Sequence, residues 1–126
     1  MMIMNWEEFP VGPHGESEKL HVTIDKKGTI LIGAKAYEKL GKPEAAVLLF
    51  DKLKSVIGLL PTNPRAGNAY KFVKKVNGRH TVVRAIRFCR HHGIRIGRTM
   101  AFNDPVIDSE GILMLDLKTT TGLGRV

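Results

Sequence analysis

Val22-Thr23-Ile24-Asp25-Lys26-Lys27-Gly28-Thr29-Ile30-Leu31-Ile32-Gly33-Ala34-Lys35-Ala36-Tyr37-Glu38-Lys39-Leu40-Gly41 is the stretch from which the remainder of this 126-residue chain can be read. Residues 20–24 alternate around His21 and Thr23, the period of a half-buried strand. Residues 25–28 form a turn in which Gly28 is free to take positive φ. Residues 29–32 are β-branched and apolar, a second strand. Residues 34–40 read as a short helix closed by Gly41, with Pro43 just beyond. Residues 47–50 and 56–60 then make a further strand pair. The unit is strand, strand, helix, strand, strand.

The second half repeats this order. Residues 70–76 and 79–84 flank Asn77-Gly78, a strong hairpin signal. Residues 86–92 read as a helix closed by Gly93, and residues 99–102 and 111–117 as two more strands. An offset of 52 residues brings Lys27 onto Arg79, Thr29 onto Thr81, Lys35 onto Arg87, Gly41 onto Gly93 and Phe50 onto Phe102. After a few extra residues in the second half, Ile57 meets Ile112. Residues 61–68, with Pro64 and Gly67, read as the linker between halves. Residues 1–18 read as an N-terminal arm anchored by Trp6 and Phe9, and residues 118–126 as a C-terminal tail. The expected organisation is one domain over 19–117, made of pseudo-repeats 19–61 and 70–117.

An isolated helix needs roughly 12 residues or more to persist, so these helices depend on packing. A half of about 50 residues has a poor core of its own. The halves are therefore expected to interlock around one core and to close their strand edges into a barrel. Ile30, Ile32, Leu40, Leu49, Leu59, Val82, Phe102, Leu113 and Leu115 are the expected core.

Charge is unevenly distributed. From Lys52 to Asn103 there are twelve Lys and Arg and no Asp or Glu, while the whole chain carries +8. Like charges repel in the compact state, so such a run points to a polyanionic partner. Nucleic acid is the first candidate, and a solvated basic face is the bland reading.

The quoted stretch resembles the AbrB-like swapped-hairpin family: strand, Asp-x-x-Gly turn, strand, and a short helix ending in Leu-Gly. The resemblance is direct over about residues 20–61 and reaches 70–117 only through the internal repeat. MraZ-type proteins carry two such modules in one chain. The resemblance implies a β-rich α+β fold, with two ββαββ pseudo-repeats interlocked into one swapped-hairpin barrel. It also implies DNA binding and transcription regulation. Departures fall at Thr29, where the family often has Arg, at Gly33, where a Pro opens the helix, and at Tyr37 and Glu38, where helix arginines meet DNA. The expected nucleic-acid contacts are Lys26, Lys27, Lys35 and Lys39 in the first half, with Arg79, Arg84, Arg87, Arg90 and His91 in the second. The second half is expected to carry more of the contact, because Arg can read guanine bidentately.

Other chemistries find less support. Cys89, His91 and His92 lie together, but 89 and 92 share a helix face from which 91 points away, and no carboxylate is near. No metal site and no cofactor are expected. The basic neighbours of Cys89 could depress its pKa, yet no acid lies within ten residues to orient a histidine. No catalytic constellation emerges, so an enzyme is not expected. Aromatic content of 6% offers few stacking platforms, which favours duplex over single-stranded DNA. Two alternatives stay open: an antitoxin-like interaction module meeting an acidic protein, and an RNA- or ribosome-associated binder. A homo-oligomer also stays open. No stretch approaches the roughly 18 apolar residues of a membrane span. The first residues lack a basic segment followed by an apolar one, so no membrane partner and a cytoplasmic location are expected.

Overall fold

The computed structural model describes residues 19–75, 78 and 80–123. In chain order the elements are β1 (Val22–Ile24), β2 (Thr29–Ile32), α1 (Ala34–Lys39), β3 (Ala45–Asp51), β4 (Val56–Thr62), β5 (Ala69–Lys71), β6 (Val73–Lys74), β7 (Thr81–Arg84), α2 (Ile86–His92), β8 (Met100–Phe102), β9 (Val106–Ile107), β10 (Leu113–Asp116) and β11 (Thr120–Gly122). The fold is α+β and β-rich. Its strands form two antiparallel sheets, one ordered β11-β8-β1-β2-β7-β6 and the other β5-β3-β4-β10-β9.

The Asp25 turn is built as its residues require. Asp25 Oδ1 accepts the Lys27 and Thr29 N–H groups at 2.9 and 3.0 Å, and Gly28 takes φ 76°. The missing Cβ matters twice there. A Cβ on Gly28 would sit 2.9 Å from the Ile86 Cα, so only glycine lets the turn press against the start of α2. The Ala85 N–H donates to the Gly28 carbonyl at 2.9 Å across the same contact.

Both helices end alike. The Lys42 N–H reaches back to the Tyr37 carbonyl and the Gly41 N–H to Glu38; the Ile94 N–H reaches Cys89 and the Gly93 N–H reaches Arg90. This is the Schellman pattern, with Gly41 at φ 95° and Gly93 at φ 67°. The buried residues are Ala36 on α1 with Leu40 at its C-cap, and Phe88 and Cys89 on α2.

A single cluster of buried side chains joins both sheets and both helices, centred on Val22, Ile24, Ile30, Ile32, Ile57, Leu59, Val83, Leu113 and Leu115. Eight of the nine expected core residues are buried. Leu49 is not; it is 39% exposed. Its neighbours Leu48 and Phe50 pack on the core, so the two-residue period turns Leu49 outward. There it lines up across the ladder with Gly58, Met114 and Val106. An unbroken apolar strand contains no polar residue to mark its outer face, which is why the sequence reading missed this.

Several expected boundaries shift. Residues 70–76 do not form one strand. The chain leaves β5 at Phe72, whose N–H donates to the Glu44 carbonyl at 3.0 Å, and enters the other sheet as β6. The Phe72 ring packs on Tyr37 at 5.4 Å and anchors the crossing. Pro61 and Thr62, read as linker, close β4. Residues 120–122, read as tail, form β11 and pair with β8. β9 was not anticipated. A second Asp-x-x-Gly turn follows it: Asp108 Oδ1 accepts the Glu110 and Ile112 N–H groups, both at 2.9 Å. The N-terminal arm, Asn77 and the last three residues lie outside the described residues; β6 and β7 still pair as a hairpin, Val73 with Val82 and Lys74 with Thr81.

Two stability measurements check this packing. Phe102→Ala should cost about 3–5 kcal/mol in urea unfolding, whereas Leu49→Ala should cost on the order of 1 kcal/mol. Gly28→Ala should cost clearly more than Gly41→Ala. Both positions have positive φ, but only the first meets backbone, while a Cβ on Gly41 finds nothing within 4 Å.

Candidate nucleic-acid interface

The β2–β7 ladder decides where the cations go. Thr29 pairs with Arg84 at one end and Ile32 with Thr81 at the other. α2 therefore starts beside the Asp25 turn, and α1 starts from the opposite end of the ladder. Pairing of Ile24 with Met100 brings the segment before β8 to the same turn. A groove of about 440 Å³ results, lined by Asp25, Lys26, Lys27, Gly97, Arg98 and Thr99.

Lys26, Lys27, Arg84 and Arg98 thus gather at one end of the six-stranded sheet, all exposed. The Arg98 guanidinium lies over Gly122, where an added Cβ would come within 2.3 Å of it. Arg87, Arg90 and His91 continue this surface along α2. They stand at i, i+3 and i+4, the spacing that shares one helix face, and all are exposed while Phe88 and Cys89 turn inward.

The remaining expected residues are elsewhere. Lys35 and Lys39 lie on α1, at the far end of the ladder. Lys35 is half-buried and has an interaction of its own within the protein. Lys39 borders a separate groove with Lys19, Asn103 and Asp104. Glu38 shares their outward face and offsets one of the two charges. Arg79 lies outside the described residues. The β2–β7 pairing puts Arg84 and the start of α2, which carries Arg87, Arg90 and His91, at the Lys26–Lys27 end of the ladder, and leaves Lys35 and Lys39 at the other end. Arg98 was missed by the sequence reading. Nothing local marks it, because its proximity to Lys26 comes from the long-range pairing of β1 with β8.

The residues weighed for other chemistry are accounted for by packing. Cys89 is buried, and burial pushes its thiol up in pKa, which overrides the lowering expected from basic neighbours. Its neutral thiol is a poor nucleophile. His92 packs against Phe88 at 4.7 Å and Phe50 at 5.0 Å. Burial first, then the positive surroundings of His91 and Lys52, hold its imidazole below the usual histidine range. Asp116 is held below the usual carboxylate range, first by the backbone N–H of Lys118 and then by the Lys118 side chain, which bonds it at 3.1 Å. Among the described residues no three His, Cys, Asp or Glu are grouped to hold a metal ion, and no helix is long and apolar enough to cross a membrane.

The chain is thus a β-rich α+β domain of two antiparallel sheets that carries a basic surface on its second helix and the neighbouring turn. No family model, curated protein or solved structure matches it.

The His92 environment sets a pH dependence. Its folded pKa lies below the unfolded value of about 6.5, so the unfolded chain takes up the proton first as pH falls. This contribution is absent at alkaline pH and becomes destabilising as pH drops through about 6.5. The Asp116 contribution has the opposite origin and a separate window: it is present above the unfolded carboxylate pKa and is lost as pH falls below it. Urea midpoints measured from pH 8 to pH 5 should fall for the wild type and fall less for His92→Phe, which keeps the ring contacts and removes the titration.

Proposed function

We propose that this protein binds duplex DNA as a transcription regulator, in the manner of the AbrB- and MraZ-type proteins its sequence resembles. One observation carries the reading: the outward face of α2 presents Arg87, Arg90 and His91 with no acid in the helix, and Lys26, Lys27, Arg84 and Arg98 extend it from three other segments. Asp25, the one carboxylate lining the adjoining groove, is committed through Oδ1 to its own turn and offsets a single charge. Such a surface has a repulsive self-energy that phosphate binding relieves, with release of counterions. Lysines at the turn act as point charges on phosphate, and the planar arginine forks on α2 suit phosphate or the guanine edge.

The same proposal includes a duplicated module closed into a barrel. β2 and β7, which pair directly, cover 29–32 and 81–84, so a 52-residue shift carries one onto the other. The residues of the two helix closures, Tyr37, Glu38, Gly41 and Lys42 against Cys89, Arg90, Gly93 and Ile94, obey the same shift. Lys35, Glu38 and Lys39 on α1 then correspond to Arg87, Arg90 and His91 on α2. On this view the second copy of the helix has become the binding one, through replacement of the acid by arginine.

Fluorescence anisotropy with labelled genomic duplexes at several salt concentrations tests the reading. Each phosphate contact contributes a slope of about −0.9 in log K against log salt. Arg87→Ala combined with Arg90→Ala should flatten the slope by about two units. Lys35→Ala combined with Lys39→Ala should change it less. A larger effect from the lysines would move the site to α1. Stronger competition by structured RNA than by duplex DNA would favour an RNA-binding role, and absence of binding at low salt would favour an acidic protein partner.

A further inference from the structure

Another concave site lies apart from the Asp25 turn and from the groove at Lys39. It is a cleft of about 340 Å³ where the end of α2 and the following chain meet the tip of the β3–β4 hairpin and the turn after β10. Phe50, Ile96, Met100 and Leu117 supply apolar patches to a lining whose exposed surface is mainly polar, and the His92 ring stands in it against Phe50. Lys52 and Arg95 are at its rim, both exposed, and no Asp or Glu lines it. The surrounding geometry is held firmly. The Leu117 N–H donates to the Ser55 carbonyl at 2.9 Å, Lys118 Nζ bonds the Lys54 carbonyl, and Phe50 and Phe88 meet edge to face at 6.2 Å.

Each part of this cleft selects a part of a ligand. The Phe50 and His92 rings, with Ile96 and Leu117 beside them, offer a flat ring edge or offset contacts. Two cations at the rim without a carboxylate favour an anionic group at one end of that ring. The planar fork of Arg95 can bond a carboxylate through two parallel N–H groups. The volume lies at the small end of ligand sites, which limits the body to about one ring. We propose that this cleft binds a small aromatic carboxylate, with the ring on Phe50, Ile96 and Leu117 and the carboxylate between Lys52 and Arg95.

This site is independent of the DNA reading, and its test contains no nucleic acid. The full chain is titrated with benzoate, benzamide and acetate while its ¹H–¹⁵N correlation spectrum is followed. Benzoate should give saturable shifts centred on Phe50, Lys52, Leu117 and residues 92–96. Benzamide, which lacks the charge, and acetate, which lacks the ring, should each bind at least tenfold more weakly. Lys52→Ala with Arg95→Ala should reduce benzoate to the benzamide level while the other resonances keep their positions. If that variant does not fold, Lys52→Gln with Arg95→Gln serves the same purpose. Equal binding of benzoate and benzamide, equal binding of benzoate and acetate, or shifts spread over Lys26, Arg84 and Arg87 instead of the cleft would each overturn the proposal.

Discussion

Four residues of β2 against four of β7 hold this fold in one piece. Ile30, Ile32 and Val83 on that ladder have no exposed surface, and the strands on either side are added to it as β1 and β6. Both helices depend on it as well. At six and seven residues neither is long enough to persist alone. Each follows directly from one of the two central strands, and each returns Phe88 and Cys89, or Ala36 and Leu40, to the common core. Because the strands are antiparallel, their helices leave from opposite ends. The separation of the basic helix from the mixed-charge helix is a consequence of that one pairing.

Around this ladder the acids and the cations are used differently. Asp25, Asp51, Asp108 and Asp116 each accept backbone N–H groups through Oδ1 in a turn. Their carboxylates replace water as acceptors for donors that the turns would otherwise leave open. Arg84, Arg87, Arg90 and Arg98 instead face solvent. In water their mutual repulsion is screened, so the fold tolerates a basic surface that it could not bury. The two grooves beside this surface differ in kind. The one at the Asp25 turn is lined by Asp25, Lys26, Lys27, Gly97, Arg98 and Thr99, and the one at the end of α2 includes the Phe50 and His92 rings with Ile96, Met100 and Leu117.

Local features were legible before the structure. The Gly28 turn, both helices, the glycine closures and eight of nine core residues follow from period and turn chemistry acting over a few neighbours. The second Asp-x-x-Gly turn at 108–111 carries the same signature as the first and was open to the same reading. Other features had no local mark. β9 and β11 are two and three residues long, too short for a two-residue period to register. The crossing at Phe72 interrupts what reads as one continuous strand, because its backbone bonds to Glu44 in a different part of the chain.

The amino-acid sequence by itself determined the element types, the helix ends, the tight turn at Gly28 and the concentration of positive charge in an acid-free run. These depend on steric limits, side-chain period and composition, which act within a few residues. Tertiary structure alone decided which strands became neighbours, that Leu49 faces outward, that Arg98 stands beside Lys26, and that Lys35 and Lys39 start from the opposite end of the ladder to Arg87 and Arg90. Apolar strands are close to interchangeable as pairing partners, so no local rule selects among them. The choice is made by the collective burial of Ile24, Ile30, Leu59, Val83 and Leu115 in one core, and the surface charges take the positions that this core leaves them.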